Sequence, residues 1–168
     1  MSIFDYLTEK TLEILSIFPP WSIVIIISML PFIELRGAIP VAMGIYHMGI
    51  PEAFVLSVIG NMIPVPFILI FLGNAEHFLR RYKRWDRLFT WLFERTRRRA
   101  IKNIEKYEVV GLMIFVGIPL PMTGAWTGAL IAYLFGLDYK KSFLTIFLGV
   151  LMAGVIVTLV MVGLGMVI

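Results

Sequence analysis

The feature that most constrains this chain is an uncharged run, "SFLTIFLGVLMAGVIVTLVMVGLGMVI", filling residues 142–168. A helix that crosses a bilayer needs about 20 mostly apolar residues. This run is longer than that. The whole chain agrees with it: 60% of its 168 residues are hydrophobic, 15% are charged, and the mean hydropathy is +0.91. A soluble fold has nowhere to put so much apolar surface. The chain reads as an all-α integral membrane protein with a single membrane domain over 1–168.

Three further apolar zones occupy 21–49, 53–73 and 109–137. The second is long enough to span but carries Asn61, Pro64 and Pro66, so a kinked span is expected. The first and third are interrupted. "WSIVIIISML" ends at Pro31, and a second apolar piece runs from Ala38 to Gly49. "VVGLMIFVGI" meets "PLPMTG" at Pro119 and Pro121, and "AWTGALIAYLFG" follows. Each piece covers about half of a ~30 Å hydrocarbon core. A re-entrant hairpin or one broken helix fits either zone. Irregular backbone at that depth survives only where protein buries it or water reaches it.

The two interrupted zones also match each other. A shift of 87 places Gly37-Ala38 on Gly124-Ala125, Ala42 on Ala129, Tyr46 on Tyr133 and Gly49 on Gly136. We read an internal repeat, 21–73 and 107–168. If each half is a re-entrant helical hairpin plus one transmembrane helix, the halves enter from opposite faces and form an inverted repeat. Both termini then lie outside. If the zones cross fully, there are four spans and a parallel repeat, with both termini in the cytoplasm.

Charge is unevenly spread. Of 15 Lys and Arg, 11 fall between Arg80 and Lys106, and the formal net charge is +4. Phe78, Tyr82, Trp85, Phe89 and Leu92 share one helical face there. The linker 74–106 reads as a basic amphipathic cytoplasmic segment ending in the Arg97, Arg98, Arg99 cluster. That cluster either recruits anionic lipid headgroups or only anchors the topology; nucleic acid is not an expected partner. Residues 2–18 alternate apolar and charged positions without a signal-peptide pattern, so they read as an N-terminal amphipathic helix or a frayed tail.

The charged break "PFIELRGAIP" holds Glu34 and Arg36, the only formal charges between Glu13 and Glu52. Charges inside a bilayer usually face a cavity or a partner. With Gly37 beside them and a half-helix N-terminus expected at Ala38, they form a candidate site for an anionic headgroup. Arg36 would be the clamp. Glu34 can take up a proton when desolvated, since burial disfavours the charged form. The plain alternative is that the two charges pair to hold the break together. The second break offers Pro119, Pro121, Thr123, Gly124, Trp126 and Thr127. Trp126 could equally be an interfacial anchor or core filler. Asn61 either closes the site or hydrogen-bonds across helices.

Cysteine is absent, so no disulfide framework or thiolate site is expected, and the redox compartment stays open. His47 and His77 are far apart in this plan, and no nucleophile has a base beside it. No metal, no cofactor and no enzymatic activity are expected.

"ELRGAIP" and "PLPMTGAWTGAL", in this order and separation, resemble the small multidrug export family over roughly residue 29 to the C-terminus. That family is held to be distantly related to the DedA/VTT membrane proteins, which carry paired re-entrant loops. Some DedA members are implicated in returning polyprenyl-phosphate carriers across the bilayer, and VTT relatives in lipid scrambling. The resemblance puts Glu34 and Arg36 on a charged loop and Pro119 and Pro121 on a Pro-x-Pro loop. The acid that usually ends the second loop is missing here, where Met122-Thr123-Gly124 follows. Glu34 is then the sole candidate for proton coupling. The expectation is a transporter or lipid flippase for an amphiphilic anion such as a polyprenyl-phosphate lipid, with proton coupling in one version. Efflux of hydrophobic cationic drugs is the second reading, and a non-transporting lipid-organising protein the third. A chain this small leaves room for a homodimer, with Gly149 and Ala153 as a candidate contact.

Overall fold

The computed structural model describes residues 18–79, 105–120 and 123–165, with side chains over 18–71, 109–120 and 123–165. The N-terminal amphipathic segment, the basic linker beyond Leu79 with Arg97–Arg99, and Pro121 therefore lie outside the described residues. Every regular element among the described residues is helical.

The first half begins with α1, Pro20–Met29, with proline in its first turn where no amide donor is needed. A short break leads to α2, Glu34–Pro40, which runs into a π-helical turn, Val41–Ile45. Two helices follow, α3 (Ile50–Met62) and α4 (Pro64–Leu79). Pro64 ends the hydrogen-bonded run of α3, yet Ile63 keeps helical dihedrals. The stretch Ile50–Phe71 is thus long and apolar enough to cross a membrane, with mean hydropathy 2.3. The second half repeats the order: α5 (Glu105–Gly117), a break, α6 (Ala125–Leu134), and α7 (Tyr139–Gly163), whose mean hydropathy is 2.7. Asp138 starts α7 by accepting from the Lys140 amide at 3.1 Å. At 1.5 Å per residue α7 is about 37 Å long, a full span, whereas α1 and α6 reach about 15 Å each.

The outer surface is apolar. Val55, Ile59, Phe67, Phe71, Leu144 and Leu159 are all exposed. Such a surface suits lipid, and the chain is a helical membrane protein.

Three sequence-based expectations need correction. The first half-helix starts at Glu34, not Ala38, so Pro40 lies within it. The wider turn that follows, closed by the Tyr46 amide on the Val41 carbonyl at 3.2 Å, accommodates a proline that cannot donate to the preceding turn. The register between halves is also not 87. The first helices end at Leu30 and Ile118, 88 apart. After the break, Tyr46 and Phe135 close the half-helices, left-handed His47 (φ 50°) and Gly136 (φ 68°) follow, and Gly49 and Asp138 precede the long helices, all 89 apart. Third, α4 runs to Leu79, so the expected linker boundary at 74 falls inside a helix.

The same register carries the packing. A Cβ on Gly60 would sit 2.5 Å from the Ile25 carbonyl and 2.8 Å from the Ser28 Cβ; one on Gly149 would sit 2.8 Å from the Met113 carbonyl and 2.7 Å from the Val116 Cβ. Each long helix thus seats on its own half's first helix through a glycine. Gly149 and Ala153 are spent inside the chain, so this pair is not a free dimer contact. Each half-helix also packs across the molecule, α2 against α7 and α6 against α4. The core between them holds Leu35, Ile39, Ala129, Ile146 and Val150.

Gly60→Ala and Gly149→Ala should each destabilise the protein by about 1–3 kcal/mol through overpacking. Gly111→Ala, in helix α5 with nothing within 4 Å, should be neutral or add up to ~1 kcal/mol. Thermal unfolding in detergent measures this; equal midpoints for all three would rule out the tight seats.

Candidate functional site

The two breaks meet. Glu34 opens α2 at φ 52°, a left-handed conformation that costs a residue with a side chain about 1–3 kcal/mol. That conformation goes with a carboxylate held inward: Glu34 is 5% exposed. Its Oε1 lies 3.5 Å from the Trp126 amide, the outer limit of a hydrogen bond, in the first turn of α6. Both carboxylate oxygens crowd the Cα of Gly124, so closely that a Cβ there would collide with them. A negative group over the partial positive charge of a helix N-terminus is favourable, and here the other half of the chain provides it.

Arg36 completes the junction. Its Nη2 lies 4.0 Å from Glu34 Oε2 and donates to Thr123 Oγ1 at 3.0 Å. Its Nη1 donates to the Leu120 carbonyl in the second break. Its Nε is buried with no partner. Thr123 Oγ1 is 2.8 Å from the Ile118 carbonyl and 2.9 Å from the Leu120 carbonyl; one proton serves one of them at a time. Trp126 reaches back, its indole Nε1 donating to the Met29 carbonyl at the end of α1 at 3.0 Å. Orphan backbone groups of each half are therefore satisfied by side chains of the other.

Of the residues expected at the site, Glu34, Arg36, Thr123, Gly124 and Trp126 come together. Gly37 lies within α2, and a Cβ there would strike the Ile33 side chain. Pro119 is half-buried in the break beside Leu120. Thr127 turns its hydroxyl to the Gly124 carbonyl of its own helix at 3.3 Å. Asn61 is 1% exposed, and among the described residues neither end of its amide has a partner, across helices or otherwise. The break backbone was underestimated by sequence reasoning; the Leu120 carbonyl and Met29 carbonyl are both acceptors that only the fold brings to Arg36 and Trp126.

The rim of the junction is apolar and open, with Phe32 88% and Leu120 54% exposed. The arrangement offers a guanidinium with an unused donor, a helix N-terminus and a hydroxyl beneath a hydrocarbon rim. Among the described residues, no group of three or more His, Cys, Asp or Glu could hold a metal ion.

A family model described as "Putative small multi-drug export protein" matches residues 34–156. The match starts at Glu34, where the first break ends, and contains the second. No protein of curated function and no solved structure matches.

Gly124→Ala should destabilise the junction, and the penalty should shrink in a Glu34→Ala background, where the methyl meets no carboxylate. Trp126→Phe should cost about 1 kcal/mol by leaving the Met29 carbonyl unpaired. A double-mutant cycle of unfolding midpoints reads the first effect; strictly additive penalties would dissociate Gly124 from Glu34.

Proposed function

This chain belongs to the small multi-drug export protein family, and we propose that it is a membrane transporter that moves an amphiphilic anion, such as a polyprenyl-phosphate lipid. The observation that carries this reading is the Arg36 guanidinium, its side chain only 18% exposed, beside the first turn of α6. The headgroup would take Arg36, Thr123 and the amides around Gly124 and Trp126. The hydrocarbon tail would follow Phe32 and Leu120.

Glu34 gives the transporter a coupling step. Its carboxylate occupies the α6 N-terminus that the headgroup needs. Protonation removes its charge and weakens its hold there, so proton uptake and anion entry go together. The absent second acid leaves this role to Glu34 alone.

The architecture we favour is an inverted repeat of re-entrant hairpins plus spans. Reciprocal packing of each half-helix on the other half's long helix supports it. The basic linker is then cytoplasmic and both termini are outside. We place the family at a distance from the DedA/VTT proteins on the same reasoning.

A second reading is proton-coupled efflux of hydrophobic cations. It is favoured by Glu34 being more buried than Arg36, whose hydrogen bonds to Leu120 and Thr123 could be purely structural. The non-transporting, lipid-organising reading makes the Arg97–Arg99 cluster the working part.

The test is transbilayer movement of a short polyprenyl phosphate in proteoliposomes under a pH gradient. Wild type should move it, and Arg36→Gln and Glu34→Gln should each abolish movement. Pumping of a lipophilic cation, lost in Glu34→Gln and kept in Arg36→Gln, would hand the case to efflux. Insensitivity to both substitutions, with dependence on Arg97–Arg99, would favour the third reading.

A further inference from the structure

The two halves are nearly the same packing problem solved twice, and beyond the charged break they differ at the seats of the long helices. At the register established by the glycine seats, Ser28, Ser57 and Asn61 of the first half correspond to Val116, Ile146 and Val150 of the second. All six are buried, at 0–1% exposure. The second half shows that apolar side chains fill these seats well. The first half instead buries two hydroxyls and an amide.

Only one of those three side chains finds a partner among the described residues. Ser28 Oγ donates to the Ser57 carbonyl. Among the described residues, Ser57 Oγ, Asn61 Oδ1 and Asn61 Nδ2 have no partner. Burying polar groups without partners is costly, so an unpaired set at positions where apolar residues fit points to something that occupies it. Ser57 and Asn61 lie four residues apart, one turn of one face of α3.

The backbone beside them is electronegative. Proline has no amide hydrogen, so Pro64 and Pro66 leave the Gly60 and Met62 carbonyls without their helical donors. Hydroxyl, amide and freed carbonyl oxygens at an interrupted span form a neutral oxygen donor set. Without a carboxylate, such a set suits a monovalent cation better than a divalent one.

We propose that Ser57, Asn61 and the carbonyls freed at the Pro64 interruption form a binding site for a small monovalent cation, sodium, in the first half only. Water completing the ion's shell accepts the hydrogen bond from Asn61 Nδ2. The proposal does not depend on what the protein transports.

The test uses purified full-length protein in detergent. Its unfolding midpoint is followed as NaCl replaces choline chloride at constant ionic strength, and saturable binding of radioactive sodium is measured on the same preparation. Wild type should show a saturable upward shift with sodium. The variant carrying Ser57→Ile and Asn61→Val, the residues of the second half, should unfold at the same midpoint in both salts and lose the bound label. Equal wild-type midpoints in the two salts with no saturable binding would overturn the proposal, and would mean that an internal water cluster alone fills the site. A sodium shift that survives the double substitution would equally overturn it. Should that variant not fold, the wild-type radiolabel measurement decides alone.

Discussion

Unpaired backbone at the two breaks is the constraint on which the rest of this structure depends. A helix that stops short leaves several amides or carbonyls without partners, and hydrocarbon supplies none. Here the two breaks satisfy one another crosswise. The Glu34 carboxylate covers the first turn of α6, Arg36 reaches the Leu120 carbonyl, and Trp126 reaches the Met29 carbonyl. Neither half can withdraw without exposing polar backbone and a buried charge. Half-length helices, which would be poor spans alone, become tenable because they are placed end against end.

That exchange explains the close packing around it. The carboxylate fits only because position 124 has no side chain, and the long helices approach only because 60 and 149 have none. The strain at Glu34, a left-handed residue at the start of a helix, is retained because it turns the carboxylate inward. Stability and the proposed transport use the same contacts. Under the proposed function an incoming anion would replace Glu34 on α6 and take over the cap that holds the halves together.

Much of this was legible in the sequence, and the reasons are physical. Charges in an apolar stretch, prolines that forbid continuous helix, and uncharged runs of membrane length all act locally. They gave the spans, the two breaks and the pairing of Glu34 with its surroundings. What escaped depends on groups far apart in the chain or on backbone detail. The start of α2 at Glu34 rather than Ala38 could not be read from composition, because a proline seven residues into a helix normally argues against one; the π-helical turn makes room for it. The register of 88 and then 89 lay in packing and caps, whereas chance identities such as Tyr46 with Tyr133 suggested 87. Gly149 and Ala153 read as a surface for another helix, and so they are, but the helix is α5 of the same chain.

The two halves share a plan but not a composition. The first break carries both formal charges, and the first long helix carries the unpaired Ser57 and Asn61. The second half answers with apolar seats, an uncharged break and a helix N-terminus that the first half's Glu34 covers. A repeat kept only for symmetry of packing would have no reason to diverge in this direction, since polar groups in a membrane interior cost stability wherever they stand. Among the described residues the first half buries Ser28, Glu34, Ser57 and Asn61, and the second Ser142 and Thr145. The proposed headgroup site draws Arg36 from the first half and Thr123 with the α6 amides from the second, and the crosswise caps tie the two halves together.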